Sequence, residues 1–446
     1  MTIPSRVLAV DLGATSVRVA AIDLQAPEPQ VDVLHRWQHD PITDIDGTLR
    51  WNWPRIVAEV EIGLERGVAT GPVASIGVDG WGVDYGLIDA VGHLVALPYS
   101  YRDPRTEKWE ITADAIGTER LYGISGIQIM GINTIFQLAV HDRNELEQAS
   151  RLLLLPDLLV RHLSPYEGAE RSNASTTGLL NIRTGDWAYQ LIEEISVDPV
   201  LFPDVVSAGR LAGSWHGVPI HLVGSHDTAS AFLGMPGGSS PGCVFVSTGS
   251  WVIVGVERPG VDDSAAARMA NFSNEAGALG GTRFLKNVVG FWILEKCRAA
   301  WGHPPMEELM EEAASVERGP IFDAGDHRFV NPNDMEQQIR DATGLSGDTP
   351  RGVIVRSVLD SIVEGIARVV DELVSITAMP MTRMAVVGGG ARVPLLHELL
   401  GIRTGLRIVR GSPEATALGN AVAQGIALGR FDGIDDARGW LEASGA

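Results

Sequence analysis

Apolar and polar positions along this chain fall into blocks of two periods, and the blocks predict its elements. Residues 7–24 (VLAVDLGATSVRVAAIDL) begin with an apolar run over 7–10, break at Asp11 and Gly13, and resume with Val17, Val19 and Ala21 before Asp23. This pattern predicts two strands joined by a tight, glycine-containing turn. Residues 242–257 (GCVFVSTGSWVIVGVE) repeat the design around a polar turn of Ser247, Thr248, Gly249 and Ser250. Two such hairpins, one near the start of each half, suggest a duplicated domain. After the first hairpin, residues 31–39 read as a third strand. Residues 53–67 have helical spacing on Ile56, Val57, Val60 and Leu64, and residues 74–79 read as another strand.

The order strand, strand, strand, helix, strand is not that of a dinucleotide-binding βαβ unit. It fits an actin-like, ribonuclease-H-like unit. Further along, residues 151–163 read as a helix carrying Pro156 and Asp157, and a strand over 220–223 ends at Gly224. The Gly/Pro/Ser-rich stretch 236–242 is the linker where the halves meet. In the second half, 284–299 and 353–376 carry helical apolar stripes. Residues 384–394 (MAVVGGGARVP) run from a strand through three glycines toward a helix near Leu395, and 413–421 open a helix of small residues. The expected architecture is α/β, with two actin-like ATPase domains over 1–236 and 242–427, an interdomain active-site cleft, and a tail over 428–446.

Composition narrows the partners. The 446 residues carry 35 Lys and Arg against 56 Asp and Glu, a net charge of −21, which argues against nucleic acid or an anionic membrane as partner. Two cysteines, Cys243 and Cys297, exclude a disulfide scaffold and a cysteine metal site. No apolar run approaches the roughly 20 residues that span a bilayer, and no leader pattern precedes the first strand. The expectation is a cytoplasmic protein, monomer or homodimer.

Four stretches carry candidate chemistry, each beside an ordinary structural reading. The turn holding Asp11, Gly13, Ala14, Thr15 and Ser16 offers amides to an anion and a carboxylate to a cation, or is simply a hairpin that favours Asp and Gly. Gly80, Trp81, Gly82 and Asp84 form either a sugar-stacking platform or a tight corner around a buried Trp. Asp227 opens a helix after a strand, where α/β folds place their chemistry, or merely caps it. Gly388, Gly389 and Gly390 suit a nucleobase or phosphate approached by bare backbone, or a plain connection; the spacing is neither P-loop nor GxGxxG. Gln128 and Asn133, amides in an apolar stretch, need partners that a polyol or the core supplies.

Read in order, AVDLGATSVR (9–18), VDGWGVDYGLID (78–89), LPYSYRDPRT (97–106), SGIQIMGINTIFQL (125–138), LLLPDLL (153–159), SNASTTGLLNI (172–182), SHDTASA, STGSW, LKNVVGFWIL, HRFVNPNDM (327–335) and VVGGGA resemble the FGGY carbohydrate kinase family, most specifically its L-rhamnulose kinases. The resemblance implies two actin-like domains that take a ketose and Mg-ATP. It implies Asp227 as the base on the sugar's primary hydroxyl. His226, Thr228, Gly82 and Asn287 would hold the ketose, with Trp81, Asp84, Gln128 and Asn133 nearby. Asp11 would face Mg2+ and ATP, with Gly13, Ala14, Thr15, Ser16, Val17 and Arg18 around the phosphates. Thr248, Gly249, Ser250, Glu295, Gly388, Gly389 and Gly390 would lie on the nucleotide. Val17, Gly80, Ser250 and Glu295 depart from the pattern, where Gly, Thr, Thr and Gln are expected. Gly80 puts the sugar in question, and Glu295 adds charge beside ATP. The rivals are a kinase for a fuculose-, xylulose- or ribulose-type ketose, a non-catalytic sugar- or nucleotide-binding regulator, and a chaperone-type ATPase.

Overall fold

The structure is a computed structural model that describes residues 4–237, 241–249, 251–329, 332 and 334–443. It divides into two compact units interleaved along the chain. One takes the chain up to Pro236 together with Glu257–Phe284 and everything from Glu414 onward; the other takes Gly237–Val256 and Leu285–Pro413. Of the sequence features above, Ser250, part of the 236–242 linker and part of the 327–335 motif lie outside the described residues.

The first unit is built on a six-stranded sheet. Strands Arg6–Gly13 and Ser16–Asp23 form the expected antiparallel hairpin, with Gly13 opposite Ser16 across the turn. Strand Asp32–Gln38 extends it on one side. On the other side Ser75–Gly80 runs parallel to the first strand, followed by Val218–His221 and Leu211–Trp215. Helix Trp53–Ala69 buries Ile56, Val57, Val60 and Leu64, the stripe legible in the sequence. Two readings change here. Residues 151–154 are a strand, Arg151–Leu154, and only Leu155–Leu163 is helical. Pro156 sits in the first helical turn, where its missing N–H costs nothing, and Leu154 just before that turn is extended. The stretch after 427 is more than a tail. Its helix Ile434–Glu442 buries Ala437 and Leu441, and Trp440 Nε1 donates to Ala26 O at 2.9 Å.

Helix Ala415–Ala427 is rich in small residues because it crosses helix Asp227–Leu233 at backbone contact. A Cβ on Gly419 would lie 1.7 Å from Ser230 O, and one on Gly234 2.1 Å from Ala415 O. The same helix reaches the sheet. Gln424 Nε2 donates to Leu8 O at 3.0 Å and to Asn420 Oδ1 at 2.7 Å.

The second unit repeats the plan. Strand Cys243–Thr248 forms an antiparallel hairpin with Trp251–Arg258 and pairs in parallel with Arg383–Gly388, which pairs with Arg407–Arg410. Residues 284–289, expected as the start of a helix, belong to strand Thr282–Val289; the helix is Trp292–Ala300. The run FLKNVV is too short for its period to decide, and Gly290 separates the two elements. Helix Arg351–Thr377 is the predicted long amphipathic one. No helix among the described residues is long and apolar enough to cross a membrane.

The Gly419 crossing gives a direct test. Gly419→Ala should destabilise the protein by about 3 kcal/mol, because the methyl meets backbone rather than a movable side chain; urea unfolding measures it.

Candidate active site

Parallel pairing places Asp11 and Asp79 opposite one another on neighbouring buried strands. Asp11 is 2% exposed and Asp79 fully buried. Burial pushes both carboxyls above the ordinary range, and for Asp79, whose shift is the larger, the charge of Asp11 adds to it. Asp227 contributes to both. One cation answers them: Arg18, opposite Asp11 in the hairpin, donates through Nη2 to Asp11 Oδ2 and through Nη1 to Glu414 Oε2 at 2.7 Å. Asn420 donates to Asp79 Oδ2 at 2.6 Å, while Asp79 Oδ1 has no hydrogen-bond partner among the described residues.

This is a donor set of hard oxygens with too little positive charge. That fits a divalent cation such as Mg2+, which is held by one or two carboxylates and completes its shell with water and phosphate. Among the described residues no group of three or more His, Cys, Asp or Glu is arranged to hold a metal alone. Such a cation would have to arrive with its phosphates.

The turn beside Asp11 is held from behind. His39 N donates to Thr15 O at 3.0 Å, His39 Nε2 lies 3.0 Å from Gly13 O, and Arg102 Nη2 donates to Ala14 O at 3.4 Å. Thr15 is exposed, Ala14 and Ser16 are half-buried, and a Cβ on Gly13 would lie 2.9 Å from Ser16 O. Val17 is different. Its side chain is fully buried in the hydrophobic core, so it supports the turn and does not line it.

Asp227 opens helix Asp227–Leu233 with its side chain 30% exposed; its Oδ1 accepts from Thr228 Oγ1 at 3.1 Å and lies 3.4 Å from His226 Nε2. The turn before it hangs on Glu170. That buried carboxylate accepts at Oε2 from Ser225 N (2.9 Å), Ser225 Oγ (3.0 Å), Ser172 N (3.0 Å) and Ser172 Oγ, and His226 N donates to Ser172 Oγ at 3.2 Å. Behind Glu170 lies Asp157, 1% exposed, which accepts from Glu170 N at 3.3 and 3.4 Å. Burial, then the charge of Glu170, pushes its carboxyl well above the ordinary range.

The 80–84 segment resolves as a tight corner. Trp81 is 4% exposed, its ring 4.6 Å from that of Trp51. Both indoles donate to Asp84 Oδ2, at 3.0 and 2.7 Å, and Gln137 Nε2 donates to Asp84 Oδ1 at 3.1 Å. Asp84 and Trp81 thus form a buried strut and are not presented as sugar contacts. Gly82 stays half-buried, and a Cβ there would lie 2.9 Å from Thr176 Oγ1. Gly80 is no vacancy in a pocket: a Cβ would lie 2.7 Å from Leu12 Cβ and 2.9 Å from Leu12 O. Asn133 Oδ1 accepts from Met130 N at 2.8 Å, and the buried Gln128 donates its backbone N–H to Ser273 Oγ at 3.2 Å. The hydroxyls of Ser175, Thr176 and Thr177 donate to backbone carbonyls three residues earlier.

In the second unit, Thr248 ties the hairpin to the glycines, donating to Val387 O and accepting from Gly390 N at 2.7 Å. Gly388 has φ +77°, and a Cβ would lie 2.3 Å from Thr248 O; Gly389 and Gly249 are exposed. Only bare backbone fits there, which leaves a flat face for a ligand. Asn287 is half-buried on a strand, not on a helix. Glu295 is exposed and pairs with Arg298 at 3.0 Å, so its charge is already answered within its helix.

Glu170, Glu414 and Arg283 were not legible as site residues. Glu414 reaches Arg18 across 396 positions of sequence, and no local motif encodes such a contact. Glu275, in the stretch NFSNEA, is 4% exposed beside the fully buried Arg283. Burial alone would push its carboxyl up, but the Arg283 charge above all holds it below the ordinary range.

Known proteins bear on this geometry directly. The N-terminal domain model of the FGGY family of carbohydrate kinases matches residues 6–234, and its C-terminal domain model matches 244–428. The chain belongs to the FGGY family of carbohydrate kinases. It is an ATP-dependent sugar kinase. It is 34% identical to a rhamnulokinase of Enterococcus faecalis over 461 residues, covering 98% of this chain and 92% of that protein. It is 33% identical to a rhamnulokinase of Bacteroides thetaiotaomicron, covering 98% and 93%. Among solved structures, the ligand-bound xylulose kinase of Lactobacillus acidophilus superposes with TM-score 0.81 at 14% identity, covering 98% of this chain and 92% of that one. The Plasmodium falciparum glycerol kinase with ADP gives 0.79 at 16%, covering 99% and 93%. These structures show the two-domain α/β fold.

Two substitutions test the local geometry. Gly80→Thr should cost stability by about 1–3 kcal/mol through overpacking against Leu12 and leave the order of sugar preference unchanged, read by thermal unfolding and kinetics. Asp157→Asn has a pH signature. The unfolded carboxyl ionises near its ordinary value and the folded one only well above it, so stability falls as pH rises between the two. The Asn variant loses that term. Its urea midpoint should exceed the parent's at pH 7, with a smaller difference at pH 4.

Proposed function

We propose that this kinase phosphorylates a ketose at its primary hydroxyl, converting L-rhamnulose to L-rhamnulose 1-phosphate, with Asp227 as the base. The observation that carries the sugar assignment is that rhamnulokinases are 33–34% identical to this chain over 98% of its length. What supports the base is the placement of Asp227, partly exposed as the first residue of its helix, with its backbone turn fixed through Ser225 and Glu170.

Phosphoryl transfer asks little covalent chemistry of a protein; it needs positioning and neutralisation of charge. In this reading Asp227 Oδ accepts the proton of the attacking hydroxyl. His226, Thr228, Gly82, Gln128, Asn133 and Asn287 orient the ketose. The amides of residues 13–16 and the Arg18 guanidinium receive phosphate oxygens. Asp11 holds Mg2+, which when bound shields charge on the phosphates. Gly388, Gly389 and Gly390, with Thr248, Gly249 and Glu295, take the nucleotide. Arg18 then shifts its ion pairing from Asp11 toward phosphate while Glu414 keeps it in place. The protein acts in the cytoplasm as a monomer or homodimer.

Coupled ADP release measured against L-rhamnulose, L-fuculose, D- and L-xylulose, L-ribulose, D-fructose and glycerol tests the assignment. L-Rhamnulose should lead in kcat/KM by about tenfold or more, roughly 1.4 kcal/mol of transition-state discrimination. Another ketose in the lead would replace the substrate and keep the mechanism, whereas no sugar-stimulated turnover would favour a regulator. Asp227→Asn should lower kcat by about 10² to 10⁴ while sugar binding by calorimetry persists. An unchanged kcat would remove Asp227 from the role.

A further inference from the structure

The ring of His226 is gripped by a buried ion pair that the phosphoryl-transfer scheme leaves unused. The pair comes from one hairpin of the first unit, strand Ser273–Ala276 and the start of strand Thr282–Val289. Arg283 is fully buried. Its Nε and Nη2 donate to Ala276 O, both at 3.1 Å, and Nη2 lies 3.1 Å from Glu275 Oε2. Burying a guanidinium is a costly way to fasten a hairpin, since apolar residues of similar volume often do so at no loss. A role at the neighbouring imidazole accounts for the charge.

Two groups approach His226 Nδ1. Arg283 Nη2 is 3.3 Å away and aligned to donate, and Glu275 Oε2 is 3.2 Å away. Among the described residues Glu275 Oε2 makes no aligned hydrogen bond; its ion pair is with Arg283. A guanidinium can only donate. A nitrogen that accepts from it carries no hydrogen, so the hydrogen of the neutral ring lies on the other nitrogen. That nitrogen, Nε2, faces Asp227 Oδ1 at 3.4 Å.

We infer that Arg283, with Glu275 as its counter-charge, is a positioning residue that keeps Nδ1 of His226 as an acceptor and so presents Nε2–H toward Asp227 and the oxygen of the substrate hydroxyl. This rests on the reading of His226 and Asp227 as sugar-binding and basic residues. His226 is then fixed on two sides, its main chain by Ser172 and its ring by Arg283. An Nε2–H donor beside the carboxylate gives the hydroxyl oxygen a hydrogen bond while Asp227 takes its hydrogen. The opposite tautomer would set Nε2 and Asp227 Oδ1 together as two acceptors, whereas at Nδ1 the Arg283 guanidinium is within reach of both that nitrogen and Glu275.

Two variants test it. In the unliganded protein labelled with 15N-histidine, two-bond 1H–15N correlation should show His226 protonated at Nε2 and bare at Nδ1. In Arg283→Met, Glu275 is left as the sole neighbour of Nδ1, and the pattern should reverse to Nδ1–H. Glu275→Leu/Arg283→Met removes both charges together and so guards against loss of fold. It should keep its melting temperature, raise the KM for the sugar tenfold or more, and leave the KM for ATP within twofold. A wild-type ring protonated at Nδ1, or a folded double variant with an unchanged sugar KM, overturns the inference. The spectroscopic arm needs no substrate, so Nε2–H with reversal in Arg283→Met upholds the positioning even where no sugar is phosphorylated and the kinase assignment fails.

Discussion

Two carboxylates that cannot be hydrated set the terms for the first unit. Parallel pairing of strands Arg6–Gly13 and Ser75–Gly80 buries Asp11 and Asp79 side by side, and a hairpin partner, Arg18, is the cation within reach. The rest of the unit is arranged around that deficit. Glu414 draws the guanidinium from the far side, Asn420 donates to Asp79, and the small-residue helix carrying Asn420 is held at backbone contact with the helix of Asp227. Such a cluster is poorly balanced by itself and well balanced with a divalent cation and phosphates. In the proposed reading, that ionic imbalance is what favours binding of the nucleotide.

The second unit uses the same strand plan with a different material. Where the first unit sets Asp11 against Asp79, the second sets Thr248 against Gly388. There the contact surface is backbone, kept bare because a Cβ at Gly388 or Gly390 would meet Thr248. One hairpin handles charge and the other handles shape. A duplicated domain has been specialised by a handful of side chains at the same topological positions.

The hairpins, the first helix and the long helix Arg351–Thr377 were legible because their periods are unambiguous over many residues. Residues 151–154 and 284–289 were misread because runs of four to six apolar residues do not distinguish strand from helix; a proline and a glycine decided them. The candidate site was legible where its proposed residues sit on a local motif, as at Asp11, Asp227 and the three glycines. It was opaque where role depends on distant partners. Asp84 reads as a ligand until Trp51 and Gln137 are seen to occupy it, and Arg283 has no signature until its hairpin folds onto His226. Gly80 reads as a missing hydroxyl until Leu12 fills the space.

The return of the chain to its beginning has a consequence for biosynthesis. Strand Arg6–Gly13 leaves the ribosome long before its partners: Leu8 O waits for Gln424, and Asp79 for Asn420. Everything between Leu285 and Pro413 emerges before those partners do, and it forms a compact unit of its own. A chain emerging in order therefore makes all of the second unit available before the last segment of the first unit exists. Until the final helices appear, the central strands of the first sheet lack the helix that donates to Asp79 and Leu8. Premature termination anywhere before residue 415 leaves a polypeptide with one finished half and a first half that lacks the closing helix of its core.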